Sequence, residues 1–548
     1  MHEDDDPYVL QGDGERHAFW ADAVADRILA RDPEEPIVIK GGISPSGVPH
    51  LGNMNEIVRG YFVAEALRDR GHEVRQIFTS DDRDPLRNLP RKLATLDGEI
   101  VDLGDVDAGA LGRNLGKPYT DIPDPFGCCD SYGEHFSSLI AESAAALDVP
   151  VEMLSNTDLY EDGEFAAVTR YLLEHAEQAR SVLAEYQAKV DETYVPFNPI
   201  CEECGTVTET VTGVDPEAGS VDYVCTDLEA GDRTIEGCGH EGTATLREGK
   251  LPWRFEWPAQ WSILGVDFEP FGKDHAEGSW PSGADITRNV LEEIPPVPMV
   301  YEWFTLDGEP FSSSQGNVVL VQDVLRLVEP AVVLYFFSKD PRKARDFSIE
   351  HLDQLVDEFD RFERIYFGEV DADEDERALA ERIYPMLVEE IDEDRVRIPY
   401  TFAAVLGMTD DPDLREEIAR REGHLPPDAD EAVVEAALSR VERAREWARR
   451  TDNEFNYDLK RQSMPAVDLD PATEAALDDL ADFVEAGHDP DAIQGEIYET
   501  AKRHDIPVGE FFATGYRLFF DEEQGPKLGQ FLGKLDREFV LARLRRER

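Results

Sequence analysis

The sequence predicts an α/β protein in which a parallel sheet is interrupted by a cysteine-bearing insertion and followed by a helical C-terminal half. Three observations support this fold class. Near the N-terminus the apolar run Ile37 to Ile39, a glycine-rich turn and a helix-like segment follow one another, as in a βαβ unit. Residues 196–250 are rich in glycine and threonine and hold four of the six cysteines. From about residue 331 the apolar positions have almost wholly helical spacing.

Apolar periodicity and turn residues place the elements along the chain. Before the helical half we predict, in chain order, a helix at 15–31, a strand at 36–40, a helix at 55–70, a strand at 74–78, helices at 134–147 and 164–190, and strand character over 253–272 and 297–306. In the helical half we predict helices at 350–368, 374–391, 412–422, 430–450, 470–486, 490–504 and 526–545. Ligands in open α/β sheets lie outside the carboxyl ends of the strands, so the turn 41–53 and Asp81-Asp82 should share one crevice.

The chain is strongly acidic, since 118 Asp and Glu against 54 Lys and Arg give a formal net charge of −64. The acid is spread along the whole chain, so we interpret it as adaptation to molar salt rather than as a disordered tail or one solvated face. At about 1 M salt the Debye length is about 3 Å and self-repulsion is screened. We therefore expect the protein to loosen in dilute buffer. The charge does not exclude a nucleic-acid partner, because counterion release contributes less to binding in concentrated salt.

Three features favour a cytoplasmic protein. The N-terminal Met-His-Glu-Asp-Asp-Asp has no apolar core of a secretory signal. The longest purely apolar run near the middle, Ala331 to Phe337, is too short to span a bilayer. Six cysteines in 548 residues do not make a disulfide scaffold, and a hydrophobic content of 41% supports several buried cores.

The turn from Gly41 to Asn53 carries the strongest functional signal in the chain. A glycine-rich turn between a strand and a helix presents free backbone N–H groups and the positive end of the helix, which suits nucleotide phosphates. His50 and Asn53 are one helical turn apart and face the same way, and Gly52 lets a flat base or ribose lie close to the backbone. The alternative is a capped helix with a hydrogen-bonded histidine and no ligand.

The string Pro45-Ser46-Gly47-Val48-Pro49-His50-Leu51-Gly52-Asn53 is similar to the HIGH signature of class I aminoacyl-tRNA synthetases, with its last four residues in the HIGH places. A second signature at 310–317, the segment Phe271 to His275 and the cysteine-rich insertion complete a set that resembles the archaeal class I lysyl-tRNA synthetases. The resemblance covers residues ~35–350. It implies that this string binds ATP, which Mg²⁺ accompanies, and that His50 and Asn53 stabilise charge at the α-phosphate during catalysis.

The second signature is Pro310-Phe311-Ser312-Ser313-Ser314-Gln315-Gly316-Asn317, which is similar to the family's KMSKS loop. The resemblance implies that this loop also binds ATP and that its three serines take part in catalysis. The string departs from the pattern because Pro310 and Gln315 stand where the family has lysines. Lys273 is the predicted catalytic substitute, with Arg342 and Lys343 as alternatives. By itself the string would also fit a Ser-rich surface turn.

A lysine substrate requires an apolar or aromatic wall for its methylenes and an acceptor for its ammonium group. The resemblance places the amino acid against five residues: Gly42, Ser44, Trp253, His275 and Tyr301. The carboxylate that accepts the ammonium stays open among Asp82, Glu256 and Asp274. Any one of the aromatic residues would equally fit an ordinary core position.

The insertion carries a metal-binding pattern. Cys201-x2-Cys204 is half of a zinc knuckle, and Cys225 and Cys238 follow after long spacers. We predict a structural Zn²⁺ on these four cysteines, with His240 as the replacement if one of them is not a ligand. The alternative is a set of reduced buried thiols. The adjacent Cys128 and Cys129 are predicted to be structural thiols rather than ligands.

The resemblance implies an ATP-dependent ligase that attaches L-lysine to tRNA(Lys) through a lysyl-adenylate, with no membrane or DNA partner. The predicted regions are a Rossmann-type catalytic domain in two parts (1–195 and 251–345), the zinc-binding insertion (196–250) and a helical anticodon-binding region (346–548). Arginines at 440–450 and 543–548 fit phosphate contacts or a solvated face equally. Two alternatives remain: a glutamyl or arginyl enzyme of the same class, and a non-catalytic tRNA-binding relative, which the lysine-free loop favours.

Overall fold

A computed structural model describes residues 6–8, 17–188, 190–231, 233–311, 317–461, 463–525, 527–533 and 535–547. Contacts divide the chain into two compact units. The first unit comprises Met1–Val324, Pro330–Ser348 and Gly368–Glu389, and the second comprises Leu325–Glu329, Ile349–Phe367 and Glu390–Arg548. This division joins residues 368–389 to the first unit. The boundaries of the four segments predicted from the sequence stay predictions.

All strands in the described part of the chain belong to the first unit. They are β1 (Ile37–Ile43), β2 (Val74–Ser80), β3 (Lys92–Ala94), β4 (Ile100–Asp102), β5 (Glu152–Ser155), β6 (Asn198–Pro199), β7 (Val211–Asp215), β8 (Ser220–Val224), β9 (Leu228–Ala230), β10 (Arg233–Ile235), β11 (Glu241–Thr245), β12 (Gly249–Lys250), β13 (Phe268–Gly272), β14 (Val297–Tyr301), β15 (Phe304–Leu306), β16 (Glu309–Pro310) and β17 (Arg345–Phe347).

The helices occur in both units. They are α1 (Trp20–Leu29), α2 (Met54–Arg68), α3 (Ala108–Arg113), α4 (Tyr132–Ala146), α5 (Asn156–Asp162), α6 (Ala166–Glu174), α7 (Ala176–Leu183), α8 (Trp253–Leu264), α9 (Lys273–Glu277), α10 (Ser279–Asn289), α11 (Val321–Leu325), α12 (Pro330–Ser338), α13 (Leu352–Tyr366), α14 (Glu374–Leu387), α15 (Tyr400–Leu406), α16 (Pro412–Arg421), α17 (Glu431–Thr451), α18 (Pro471–Glu485), α19 (Pro490–Arg503), α20 (Val508–Phe520), α21 (Leu528–Leu532) and α22 (Arg537–Leu544). Of these, α13 and α15 to α22 form the second unit.

The core of the first unit is a five-stranded parallel sheet in the order β14-β13-β1-β2-β5. Strands β1 and β2 pair over their full length, which brings Gly42 opposite Thr79 and Ile43 opposite Ser80. The turn after β1 and the acidic residues after β2 therefore leave the same edge of the sheet, as the sequence predicted. Separately, β7, β8 and β11 form the antiparallel sheet of the insertion.

The strand prediction for 253–272 is wrong in its first half. Residues 253–264 form α8, and only Phe268–Gly272 is a strand. Trp253, Trp257 and Trp261 recur every four residues, which is a helical period. The strand prediction followed the aromatic composition instead, because aromatic residues are enriched in strands. The prediction of single helices over 164–190 and 526–545 is also wrong, because each segment contains two helices. In the second unit, helices α15 and α20 were not predicted.

The arginines of the second unit are largely engaged within the protein. Arg440 is 2% exposed, and its guanidinium donates to Glu329 Oε1 at 2.7 Å and to Asp360 Oδ2 at 2.6 Å. These acidic partners raise the pKa of Arg440 although burial alone lowers it. Arg543 is also buried and donates to the backbone carbonyl of Ser463 at 2.6 Å. Arg440 and Arg543 therefore serve the packing of the unit rather than a phosphate-binding surface. None of the described helices combines the length and apolarity that crossing a bilayer requires.

Candidate active site

Two neighbouring cavities border the turn that follows β1. Cavity A has a volume of ≈ 650 Å³ and cavity B of ≈ 840 Å³. Six residues line both: Ile43, Ser44, His50, Asn53, Asp84 and Trp253. Among the residues predicted to bind ATP, Pro45 to Pro49 line cavity B, Gly52 lines cavity A, and Leu51 is fully buried. A ligand at His50 and Asn53 thus has access to both cavities.

His50 and Asn53 are fixed by the backbone around them. The side-chain oxygen of Asn53 accepts the N–H of His50 at 2.8 Å, and the 3₁₀ turn Leu51–Asn53 leads into α2. Burial lowers the pKa of His50 to about 4, so the imidazole is neutral near pH 7. Its Nδ1 is buried without a hydrogen-bond partner among the described residues. A buried nitrogen of this kind is costly unless a ligand or water satisfies it.

Two glycines of the turn have steric reasons to be glycine. A Cβ on Gly52 would lie 2.8 Å from the His50 ring, so a larger residue would displace the histidine. A Cβ on Gly42 would lie 2.4 Å from Thr79 Oγ1 on the neighbouring strand. Both positions therefore depend on close backbone approach rather than on unusual backbone angles.

The structure brings the flanks of the second signature to the first. The ring of Phe311 stacks on His50 with centroids 4.9 Å apart, and the N–H of Leu51 donates to the carbonyl of Val319 at 2.9 Å. Pro310 and Phe311 line cavity A. The side chain of Asn317 donates to the carbonyl of Pro310 at 2.9 Å and so joins the two ends of the loop. The predicted residues Ser312, Ser313, Ser314, Gln315 and Gly316 lie outside the described residues.

Lys273 is not among the residues that line either cavity. Its Nζ donates to Glu302 Oε2 at 2.7 Å and lies 5.4 Å from the centroid of the Trp303 ring. The hydrogen bond to Glu302 raises the pKa of Lys273. Arg342 is likewise held, since its Nε donates to Asp340 Oδ1 at 2.8 Å. A phosphate contact from Lys273 would require this lysine to leave Glu302 first.

The five residues predicted to bind the amino acid all line cavity A. Trp253 and His275 lie side by side with ring centroids 6.0 Å apart, and Trp253 stacks on Trp257 at 5.3 Å. On the opposite part of the wall, the N–H of Gly42 and the hydroxyl of Tyr301 both reach the carboxylate of Glu56, each at 3.1 Å. The cavity therefore combines an aromatic wall with a carboxylate.

The carboxylates of cavity A differ from the set that the sequence left open. Asp274 lines the cavity and is 53% exposed. Glu256 is fully buried and is held by Lys250 Nζ at 2.8 Å and by the Tyr160 hydroxyl at 2.8 Å. Asp82 is buried and accepts the N–H of Thr157 at 2.8 Å. Glu256 and Asp82 are thus satisfied within the protein.

Three further carboxylates line cavity A: Asp81, which was predicted to share a crevice with the turn, and Glu56 and Asp84, which were not predicted. Burial raises the pKa of Glu56 to about 8 and, together with the nearby Glu256, that of Asp81 to about 7. Asp84 accepts the Ser44 hydroxyl at 2.6 Å and pairs with Lys250. Glu56 lies one helical turn after Asn53, so the signal that would have found it is the period of α2.

The insertion brings its four predicted cysteines together. All four sulfurs lie within 4.8 Å of one another, with Cys201 3.6 Å from Cys238 and Cys204 3.6 Å from Cys225. The His240 ring instead faces Glu202, with its Nε2 2.9 Å from Oε1. Four thiol sulfurs at such spacing match the donor set and size of a tetrahedral zinc site, for which Zn–S is about 2.3 Å.

Known proteins resemble this chain over most or all of its length. A sequence model of the family described as tRNA synthetases class I (K) matches residues 18–389. A lysine–tRNA ligase from Halobacterium salinarum is 76% identical, with 100% of each chain covered. The lysine–tRNA ligase from Haloarcula marismortui is 70% identical with 99% of each chain covered, and that from Pyrococcus furiosus is 35% identical with 96% of this chain and 99% of the relative covered.

Proposed function

This chain belongs to the class I (K) tRNA synthetases, and we propose that it attaches L-lysine to tRNA(Lys) in an ATP-dependent reaction of protein biosynthesis. It has the fold of that class, an α/β domain with a parallel sheet and a helical C-terminal region. Cavity A carries the proposal, because it combines the buried His50 of the turn with an aromatic wall and carboxylates. ATP and Mg²⁺ are the nucleotide and metal ion that the family implies.

In the first step a carboxylate oxygen of lysine attacks the α-phosphorus of ATP, which gives lysyl-adenylate and releases pyrophosphate. The neutral imidazole of His50 has one N–H and lines both cavities, so the ring fits a hydrogen bond to a phosphate oxygen. Asn53 holds the His50 backbone in place through its side-chain oxygen. Catalysis of this kind rests on positioning and on electrostatic stabilisation of the transition state rather than on covalent chemistry.

Among the carboxylates of cavity A, we infer that Glu56 accepts an ammonium group of the lysine substrate. Asp81 Oδ1 already accepts the side-chain amides of Asn156 and Gln260, at 2.9 and 3.0 Å. Asp84 already pairs with Lys250, and Asp274 is largely solvated. The two oxygens of Glu56 accept neutral donors, Gly42 N–H and the Tyr301 hydroxyl, and Glu56 makes no ion pair with a described residue. Lys40, which attracts Glu56, is itself paired with Glu269 at 2.9 Å. Because burial raises the pKa of Glu56 to about 8, its carboxyl is mostly neutral near pH 7, and an arriving ammonium would favour the ionised form.

Glu56→Gln tests this role. We expect the KM for lysine to rise about 10²-fold, because a charged hydrogen bond of up to about 3 kcal/mol is lost. The KM for ATP should stay within about twofold. Asp274→Asn is the matched control, and it should change the KM for lysine far less because Asp274 is 53% exposed. A larger effect of Asp274→Asn than of Glu56→Gln would move the assignment to Asp274.

In the second step the terminal ribose hydroxyl of tRNA attacks the carbonyl carbon of lysyl-adenylate and releases AMP. Cavity B fits the acceptor end, because it adjoins cavity A along the Ser44 and His50 wall and is lined by Arg87, Arg91 and Lys92. Those cations suit phosphate groups. The helical region 346–548 is the proposed anticodon-binding part.

We propose that Cys201, Cys204, Cys225 and Cys238 hold a structural Zn²⁺ that folds the insertion and takes no part in the chemistry. Cys204→Ser should lower the zinc content by one equivalent and loosen 201–245 toward proteases in a mild digest. Unchanged zinc content in this variant would remove the assignment.

We also propose a cytoplasmic enzyme adapted to high salt. The net charge of −64 and the halophilic sources of the relatives at 76% and 70% identity support this. At molar salt the Debye length is about 3 Å, and it rises to about 10 Å at 0.1 M. Transfer from 2 M to 0.1 M KCl should therefore lower the thermal midpoint, and restoring the salt should reverse the loss. Unchanged stability in dilute buffer would contradict salt adaptation.

The function itself is tested by ATP–pyrophosphate exchange in molar KCl with each of the twenty amino acids, with and without tRNA. We expect exchange with lysine, and we expect it to require tRNA. Exchange with glutamate or arginine would keep the class and overturn the specificity. No exchange with any amino acid would favour a non-catalytic tRNA-binding relative, the interpretation that the lysine-free loop at 310–317 supports.

A further inference from the structure

A buried ion pair lies next to cavity A in the parallel sheet. Lys40 of β1 is 1% exposed and Glu269 of β13 is 3% exposed, and Lys40 Nζ donates to Glu269 Oε1 at 2.9 Å. Neither residue lines cavity A or cavity B. On the basis of the proposed function and of Glu56 as the acceptor, we propose that Glu269 is a positioning residue for lysine selection, which holds the ammonium group of Lys40 away from Glu56.

The register of the sheet brings the two side chains together. Ile39 pairs with Phe268 in the parallel ladder of β1 and β13, and Lys40 and Glu269 are the next residues along the two strands. Neighbouring residues of paired strands project to the same face, and so does the residue two positions further along each strand. Gly42 therefore lies on the face of Lys40. A Cβ on Gly42 would be 3.3 Å from Lys40 Nζ, so the ammonium group lies close to this glycine.

This position makes Lys40 an internal competitor of the substrate. The N–H of Gly42 donates to Glu56 Oε2 at 3.1 Å, so Lys40 and Glu56 approach the same glycine. Lys40 Nζ makes one hydrogen bond to a described residue, the bond to Glu269, although an ammonium group has three N–H donors. The side chain ends in the same chemical group as the lysine substrate. Without the charge of Glu269, the Lys40 ammonium would pair with Glu56 and occupy the acceptor that the substrate requires.

Glu269 is held in place by two indole rings as well as by Lys40. The N–H of Trp257 donates to Glu269 Oε1 at 3.0 Å, and that of Trp261, one turn further along α8, donates to Oε2. Trp257 also stacks on Trp253, which lines cavity A, with centroids 5.3 Å apart. Three N–H donors satisfy this buried carboxylate, which would be costly without them. A buried ion pair is weak evidence for stability, so its position beside the cavity favours a role in the site.

The charges around Glu56 give the ion pair a measurable effect. Burial raises the pKa of Glu56 to about 8, and of the two charges Glu269 raises this pKa further and Lys40 lowers it. The hydroxyl of Tyr301 on β14 donates to Glu56, and Arg59 of α2 lies 5.7 Å from the centroid of the Tyr301 ring. The other titratable residues that line cavity A are His50, Asp81, Asp84, Asp274 and His275. All of these stay unchanged when only the ion pair is substituted, so a shift in the pH profile reports on the pair.

The experiment measures kcat/KM for lysine against pH, by ATP–pyrophosphate exchange with the full-length protein and tRNA in molar KCl. In wild type, kcat/KM should rise as pH rises through the pKa of Glu56, about 8, because the carboxyl must lose its proton before it accepts an ammonium group. In Glu269→Gln the rise should occur about one pH unit lower, because Lys40 is left without its opposing charge. The plateau should fall about tenfold, as expected for an acceptor that is free in about a tenth of the molecules.

Lys40→Met and the double variant give the opposite and the combined change. Lys40→Met removes the competitor and leaves Glu269 to raise the pKa of Glu56, so the rise should move to higher pH without a lower plateau. With both substitutions the two opposing charges are gone, and the rise and the plateau should both return toward wild type. A role in packing alone would leave the pH of the rise unchanged in all three variants, and that result would contradict the proposal.

Glu329→Gln is the matched control, since Glu329 accepts the Nε of the buried Arg440 at 2.7 Å and lines neither cavity. It should keep the wild-type pH profile even where stability falls. If Glu269→Gln does not fold, the direction of the shift in Lys40→Met decides alone. A wild type without lysine-dependent exchange would overturn the proposed function and the role of Glu269 together. Lysine-dependent exchange with the same pH profile in wild type and Glu269→Gln would overturn the role of Glu269 alone.

Discussion

The two segments predicted to hold ATP differ in the groups that they can offer to phosphate. In the turn 41–53, Gly42 lies against Thr79, Gly52 lies against the His50 ring, and Leu51 is bonded to Val319. In the segment 310–317, Asn317 joins the two ends by its bond to the carbonyl of Pro310, and the sequence between them contains no lysine. The turn 41–53 holds His50 in a fixed position. The segment 310–317 lacks the lysines that the family pattern has at the positions of Pro310 and Gln315.

This difference indicates where transition-state stabilisation resides. Preorganised hydrogen-bond donors in a buried site contribute strongly, because they need not reorganise during the reaction. The buried, neutral imidazole of His50, which lines both cavities, is such a group. The turn is therefore expected to carry most of the catalytic effect, and substitutions on the two sides should differ by at least an order of magnitude.

His50→Ala should show the largest effect. We expect kcat for lysine-dependent exchange to fall about 10²–10³-fold, because one preorganised donor to the transferring phosphate is removed. The KM for lysine should change little. Single-turnover adenylate formation measures the chemical step directly.

His72→Ala is the matched control for this variant. His72 lies at the surface, with its Nδ1 2.9 Å from Glu35 Oε1, and does not line the cavities. It should keep activity within about twofold. A loss below tenfold in His50→Ala would mean that the turn is not the dominant side of the site.

The pH dependence of stability sharpens the same comparison. The pKa of His50 is about 4 in the folded protein, against about 6.5 in an unfolded chain. Between these values only the unfolded chain binds the proton, so the free energy of unfolding falls as pH falls through this window. Between pH 7 and pH 5 the contribution is about 2 kcal/mol. Urea unfolding in molar KCl should show that His50→Ala loses less stability over this range than wild type.

Equal pH slopes in wild type and His50→Ala would mean that the ring is solvated in the folded protein. The comparison between variants isolates one group from the many carboxylates that titrate in the same range.

The sequence predicted the residues that line the candidate site more completely than the residues that contact them. The strings at 45–53 and 201–204 could be found because backbone geometry and metal coordination require particular residues at short spacing. The aromatic helix α8 was misassigned because composition and period gave conflicting signals. Glu56 was missed because its role arises from β1 and β14, which bring Gly42 and Tyr301 to it from distant parts of the chain.

Asp124, Cys128, Cys129 and His135 show a second limit of sequence reasoning, because one ligand atom of each lies within 4.8 Å of the others although the two cysteines were predicted to be structural thiols. Adjacent cysteines match no common zinc spacing, and the histidine six residues later lies on a helix whose direction the sequence alone does not give. Only the fold shows that Asp124 turns the loop back so that His135 meets Cys128. Such a group can be recognised only once the fold has brought its members together, whereas the spacing of Cys201 and Cys204 alone predicts a pair of metal ligands.

Lys273→Ala should show the smallest effect of the series. Lys273 remains the proposed substitute for the missing loop lysines, but its Nζ is bound to Glu302 at 2.7 Å and is 42% exposed. Any phosphate contact must compete with that existing pair, so the expected loss is only about tenfold in kcat/KM for ATP. Glu302→Gln frees the lysine and should leave the activity equal or higher. Unchanged activity in Lys273→Ala would remove it from the site and leave the turn as the main source of charge stabilisation. A 10³-fold loss would instead place the dominant charge on the side of the lysine-free loop and reverse the comparison.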